Sequence, residues 1–316
     1  MKLLILGSMS ANVADRSGSR KAIKSVQLLS LDGHAQNIPY FDQFGELGIS
    51  SFAWSERQWF FSSGKDLYAI DPMSKEVGEI DVADLLDVHE MDVIDRRLWI
   101  SNTGSDEVIA LDAESLLVKA RVQLRSLCGI GGGIAEEAID KFHCNQVFKG
   151  LDGELYCLVH HVNGKQFVKR VAAKLIKSQG NGGVVRLRDG KRIGLSLHAP
   201  HTVTVVGNEY WVFDSGKCAI NVYNQQWNFV RSIATAAWGR GAALDEVEGI
   251  FYAGMSAIRK RYLGALSASC DFNGVQVFSL MNVADTRMIE LEGIEQVNNV
   301  YVIPDTVAEG LLSLSF

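Results

Sequence analysis

The chain reads as an all-β protein, a six-bladed β-propeller built as one domain over residues 1–316. Three observations predict it. An aromatic-centred apolar segment between polar turns recurs six times, around Trp59, Trp99, Tyr156, Trp211, Phe251 and Tyr301. The intervals are 40, 57, 55, 40 and 50 residues, and a four-stranded propeller blade takes about 40–50. Apolar residues alternate with period two along these segments, with almost no helical periodicity between them. Thirty glycines against four prolines supply tight turns rather than stiff linkers.

Taken in chain order, the elements support that reading. The run "KLLILG" is shorter than the roughly 7–15 apolar residues of a signal peptide and reads as a first strand. "RQWFFSSG" is followed by "KDLYAID", ending at Asp71, and "RRLWISNTG" by "DEVIALD", ending at Asp112. "GELYCLV", "NEYWVFDSG" with "CAINVYN", "EGIFYAGMS" and "NNVYVIPD" repeat the pattern. Two stretches, "DVADLLDV" and "GGGIAEEAIDKF", read as short helical connections. Six such units close into a ring with short, protected sheet edges; a pair of β-sandwiches is the competing all-β arrangement.

Composition narrows the function. A net charge of −6 gives no field that favours a nucleic-acid backbone or an anionic membrane. The basic stretch 165–192 is a local exception that reads as a solvated hairpin or loop. No run approaches the roughly 18 apolar residues of a membrane span. The five cysteines are odd in number and widely spaced, without a C-x-x-C pair, so a reducing, cytoplasmic setting is expected. "GIGGGIAEE" lacks both G-x-G-x-x-G spacing and a βαβ context; it reads as a connection over the channel mouth, a candidate lid, not a nucleotide loop.

The repeat places polar residues at one level of the ring. His89 and His201 each lie ten residues before their tryptophans, and Gly241 lies ten before Phe251, which puts Arg240 beside the same position. Asn145 lies eleven before Tyr156, with His143 two further back, and Ser50 nine before Trp59. These positions should gather at the mouth of the central channel. His89, His143 and His201, with Asn145, then form a candidate ligand set for a divalent transition metal, Zn²⁺, Fe²⁺ or Mn²⁺. Glu90, Arg240 and His201 are the candidate catalytic residues, with Arg240 holding an anionic group through its guanidinium fork. Without a metal, His89 or His201 would serve as acid or base. Trp238, Asn102, Asp214, His198, Ser50 and Arg240 are the candidate substrate-binding residues. Plainer roles stand beside each: a lone histidine in an inner strand is ordinarily a hydrogen-bonded structural group, Trp238 can pack between blades, and "SNTG" and "FDSG" are good turn sequences. His34, His160 and His161 fall outside the pattern and read as structural or solvent-exposed.

The ordered motifs His89-Glu90, His143-x-Asn145, His201-Thr202, Asp214-Ser215-Gly216 and Arg240-Gly241 resemble those of an uncharacterised, largely bacterial family, over about residues 48–261. Glu90 departs from that pattern, where aspartate is expected. The resemblance implies a ring of polar residues and no activity. More distantly, the architecture is similar to six-bladed propellers of the gluconolactonase and strictosidine-synthase type, which implies a metal or an acid–base pair on the axis. The carboxylate and asparagine metal set of the lactonases is not reproduced here, which favours a histidine-bound transition metal over calcium.

The sequence thus points to a hydrolase or lyase acting on a small polar or anionic molecule. A metal-free cyclase or epimerase and a non-catalytic propeller binding a small ligand or a protein are the rivals. No nucleic-acid or membrane partner is expected, and the sequence sets no oligomeric state.

Overall fold

The structure, a computed structural model, describes residues 2–8, 24–30, 33–130, 140–164, 180–256 and 272–315. Six four-stranded antiparallel sheets form a ring, which is a six-bladed β-propeller. The chain begins with β1 (Lys2–Ser8), β2 (Val26–Leu29) and β3 (Ala35–Asn37). The second blade is β4 (Ser51–Trp54), β5 (Trp59–Ser63), β6 (Asp66–Ile70) and β7 (Val77–Glu79). The third is β8 (Val88–Ile94), β9 (Arg97–Asn102), β10 (Glu107–Asp112) and β11 (Val118–Gln123). The fourth is β12 (Cys144–Lys149), β13 (Leu155–Val159), β14 (Gly182–Arg186) and β15 (Arg192–Leu197). The fifth is β16 (Pro200–Val206), β17 (Glu209–Asp214), β18 (Ala219–Asn224) and β19 (Phe229–Ala234). The sixth is β20 (Trp238–Asp245), β21 (Ile250–Ser256), β22 (Gly274–Ser279) and β23 (Thr286–Glu290). Finally β24 (Gln296–Ile303) returns to pair with β1 and completes the first sheet in the order β24-β1-β2-β3.

That closure corrects one register. Trp59, Trp99, Tyr156, Trp211 and Phe251 all lie on the second strand of their blades, as the repeat requires, whereas Tyr301 lies on β24, the innermost strand of the closing blade. The second strand there is β1, from the opposite end of the chain, so the repeat is out of phase at its last unit.

The apolar residues collect in six clusters, each bridging two neighbouring blades. The repeated aromatics fill these seams: Trp59 packs with Leu4, Phe52 and Leu311, Trp99 with Phe142 and Val147, and Trp211 with Phe251 and Phe278. At about 25 cal/mol per Å² of apolar surface buried, each seam is a large stabilising term. The axis is therefore left to polar side chains.

Other expectations meet the structure unevenly. "KLLILG" is β1. "DVADLLDV" is not helical: it turns at residues 83–84 and enters β8 at Val88, because Asn102 draws Leu86 N–H and the Asp84 carbonyl onto its side chain. The anticipated helix and lid near 129–142 fall largely on 131–139, outside the described residues. A helix that the strand pattern does not announce, Asp305–Leu312, lays Val307 and Leu311 on the seam beside Trp59. Of the basic stretch, β14 and β15 form a hairpin; 165–179 lie outside the described residues. Cys128, Cys144, Cys157 and Cys218 are free thiols. No helix among the described residues is long and apolar enough to cross a membrane.

Candidate functional site

A narrow recess of about 10 Å³, room for about one water molecule, opens at the N-terminal ends of the inner strands. It is lined by His89, Glu90, Asn145, His201, Thr202, Arg240 and Asn298. One backbone device positions all seven. Five of the six inner strands carry a one-residue bulge at this level: between Val88 and Met91 on β8, Cys144 and Gln146 on β12, and His201 and Val203 on β16. The other two lie between Gly239 and Ala242 on β20 and, at Asn298, between Val297 and Asn299 on β24. A bulge adds one unpaired residue and re-aims its side chain, here towards the axis. At two of them the backbone is left-handed: Thr202 (φ 42°) and Gly241 (φ 73°). Gly241 cannot be replaced freely, since a Cβ there would lie 2.4 Å from Asn299 Cα.

The hydrogen bonds fix chemical roles. Gly241 N–H donates to Thr202 Oγ1 (3.1 Å), so the Thr202 hydroxyl proton goes to Glu90 Oε1 (3.0 Å). Asn299 Nδ2 donates to the same oxygen (3.1 Å) while its Oδ1 accepts Val300 N–H. Burial pushes the Glu90 carboxyl up to about 8, against these donors and against Arg240, which favour its charged form. At neutral pH Glu90 is a carboxylic acid with its carbonyl oxygen occupied and its proton on Oε2.

His201, 7% exposed, holds the opposite role. The Ser215 hydroxyl donates to the Gly239 carbonyl (2.6 Å), so it accepts from His201 Nδ1 (3.0 Å). Nε2 is then the unprotonated nitrogen of the ring. Burial first, and Arg240 second, hold the His201 imidazole well below the usual histidine range. His89 is lowered by burial, opposed by Asp87 beside it, with Nδ1 3.4 Å from Asp87 Oδ1.

The sequence brought His89, Glu90, Asn145, His201 and Arg240 to this place, and the structure gathers them. It adds Thr202 and Asn298, and Asn299 behind Glu90. His143 does not line the recess; its Nδ1 pairs with Asp140 Oδ1 (2.9 Å) and its backbone N–H is held by buried Asp106. His160, set aside from the sequence, stands between His143 and His201, with ring centroids at 4.2 and 5.1 Å. Its signal was register: it lies four residues after Tyr156, as Thr103 follows Trp99 and Ser215 follows Trp211. Thr103 and Ser215 both donate to a carbonyl on the next blade's inner strand, Cys144 and Gly239.

The outer candidates serve the frame. Asn102 and Asp214 are fully buried and hold the links entering their blades, Asp214 Oδ1 accepting His198 N–H at 2.7 Å. His198 lies on that link, and Ser50 donates its backbone N–H to the Ser62 carbonyl; none of the four lines the recess. Trp238 flanks His201 at 5.7 Å while packing in the seam with Phe213.

Among the described residues no three His, Cys, Asp or Glu side chains are arranged to hold one ion. The expected set of His89, His143, His201 and Asn145 is therefore not assembled as one ligand set: the His143 ring lies 4.9 Å from the His89 ring, but its Nδ1 is turned to Asp140 Oδ1. No step below is routed through a metal.

No protein-family model matches the chain, and no curated protein matches it in sequence. Solved structures match its fold. A chain of a nidogen/laminin complex has a TM-score of 0.60 at 10% identity, over 95% of this chain and 97% of that one. A protein of unknown function from Bacteroides caccae has 0.57 at 10%, over 95% and 98%. A luciferin-regenerating enzyme has 0.52 at 14%, over 79% and 78%. At these identities the likeness is one of fold, and the six-bladed propeller is what it supports.

Proposed function

We propose that the protein is an acid–base enzyme that moves a proton on a small anionic substrate bound at the mouth of the axial recess. His201 Nε2 takes the proton, the neutral Glu90 carboxyl donates one, and Arg240 binds the anion. The observation that carries this reading is the pairing of opposite roles in one recess: an imidazole held neutral with its Nε2 lone pair available, and a carboxyl held protonated near pH 7. Two titratable groups pushed apart by their surroundings are the signature of an acid–base pair. The reaction class is proton abstraction at a carbon activated by a carbonyl or carboxylate, which covers lyase, cyclase and epimerase chemistry. The family resemblance belongs to the same proposal, since four of its motifs fall at bulges or on the β12 edge and the fifth contains Ser215, which orients His201.

The test is exchange of substrate hydrogen with solvent. Wild-type protein is incubated in D₂O with a panel of small carboxylates, and deuterium incorporation is followed by proton NMR. Wild-type protein should label a substrate, and His201→Gln and Glu90→Gln should each slow labelling about 10²–10⁴-fold, the usual worth of one acid or base. The rate should fall as pH rises through about 8, where Glu90 loses its proton, and again in acid, where His201 gains one. No labelling of any acid by the wild type would leave the propeller as a binding module and sink the enzyme reading.

A further inference from the structure

A recess with room for about one water molecule is too small for a substrate, yet the acid and the base of the site both border it. Most polar atoms around it are already engaged. Thr202 Oγ1 stands between Gly241 N–H and Glu90 Oε1, and Asn145 Nδ2 donates to the Pro200 carbonyl. Asn298 Nδ2 donates to the Ile49 carbonyl (2.8 Å), and its Oδ1 accepts the Ser8 hydroxyl (3.3 Å). Glu90 Oε2 and His201 Nε2 differ. Among the described residues, the side-chain hydrogen bonds of Glu90 run through Oε1 and that of the His201 ring through Nδ1. Neither remaining atom is sealed as Asn145 Oδ1 and His160 Nε2 are. Each therefore meets open space, and the recess is the space that both residues line.

We infer that one water molecule sits in the recess, bridges Glu90 Oε2 and His201 Nε2, and carries the proton between the substrate and His201. A substrate too large to enter meets this water and not the nitrogen behind it. A buried water makes about three hydrogen bonds, and the two atoms supply complementary ones. Glu90 Oε2–H donates to the water oxygen, one water hydrogen goes to His201 Nε2, and the other faces the mouth. The carrier role rests on the acid–base reading above. The water gives a proton to His201 Nε2 while its oxygen takes the proton released by the substrate, which keeps the electron pair. One O–H bond breaks as another forms, and the water is regenerated. The return uses Glu90: its proton passes to the water oxygen while the hydrogen facing the mouth passes to the product. A last hop through the water, from His201 to Glu90, restores both groups.

Two alternatives fit less well. A cation would find one free acceptor, His201 Nε2, against a donor at Glu90 Oε2. A direct bond between the two residues would occupy the two atoms that stand free of protein partners.

The first measurement is a high-resolution crystal structure of the wild-type protein without added ligand, beside one of Glu90→Leu. Wild type should show one ordered water about 2.7–3.2 Å from both Glu90 Oε2 and His201 Nε2. Glu90→Leu removes one partner and puts methyl groups in its place, so the water should be lost. If that variant does not fold, the wild-type density decides alone. No density between the two atoms, or density bonded to only one of them, overturns the water site. The second measurement separates the role from the site. A carboxylate that the wild type labels in the exchange test carries tritium at the reacting carbon, and tritium release is compared in H₂O and D₂O at the optimum of each. A water carrier moves a solvent-derived proton in the same step, so release should be slower in D₂O. Direct transfer to His201 moves none, and equal rates overturn the carrier role. If no carboxylate is labelled, the acid–base reading fails and the carrier role with it, while the water site is judged by the density.

Discussion

The inner strands of this propeller come in two kinds. β4 pairs with β5 residue for residue from Ser51↔Ser62 to Trp54↔Trp59. The other five each carry one extra residue at the level of the recess. β4 contributes no side chain to the recess. It works as a brace instead: Ser51 Oγ accepts Met91 N–H from β8 (2.8 Å) and meets the Tyr301 hydroxyl from β24 (3.1 Å). The difference teaches that the site is made by irregularity. A regular strand alternates seam and channel residues at fixed height, whereas a bulge lets a strand present an additional polar group to the axis without disturbing its apolar seam.

The largest expected effect attacks a bulge directly. Gly241→Ala puts a Cβ on Asn299 at a positive φ, and strain plus overpacking should cost about 3 kcal/mol. The matching change on the regular strand, Ala53→Gly, should cost about 1 kcal/mol. Urea midpoints of the two variants measure the contrast, and equal losses would remove the distinction drawn here.

Next comes the carboxyl that the bulges bury. The Glu90 carboxyl is raised in the folded protein from 4.5 to about 8. Below pH 4.5 both folded and unfolded chains are protonated and nothing is lost. Between 4.5 and about 8 the unfolded chain releases its proton first, so stability falls as pH rises. Glu90→Gln should therefore stabilise the protein by about 2–3 kcal/mol at pH 7 and by almost nothing at pH 4. Thermal unfolding at the two pH values measures it. An equal effect at both would mean that Glu90 is ionised in the folded state.

The smallest effect is expected on the regular side. Ser50 bonds through its backbone and lies outside the recess, so Ser50→Ala should shift stability by less than about 0.5 kcal/mol and leave ligand binding unchanged. A loss of binding in this variant would extend the site to the β4 blade.

Much of this was legible in the chain. The repeated aromatics mark second strands because only large apolar side chains fill a seam, and that constraint acts on each blade separately. Counting back from Trp99, Trp211, Phe251 and Tyr156 brought His89, His201, Arg240 and Asn145 to one level. His143 stands beside His89 without lining the recess, because the local turn, which position along the chain does not reveal, ties its backbone to Asp106 and its ring to Asp140. Asn298 and Asn299 were missed because Tyr301 was counted as a second-strand residue. His160 was missed because its register matches hydroxyl residues in two other blades and no histidine.

By itself the sequence determined the blade count, the seams and the level of the polar ring, since these follow from a local pattern of apolar and turn residues repeated along the chain. Only the tertiary structure decided which strand closes the ring, where the bulges fall, and which proton each site residue carries. Those depend on partners far apart in sequence: β24 against β1, Thr202 and Asn299 on Glu90, and Ser215 on His201. Burial then sets charge, because a carboxyl becomes an acid at neutral pH only where the fold removes its water.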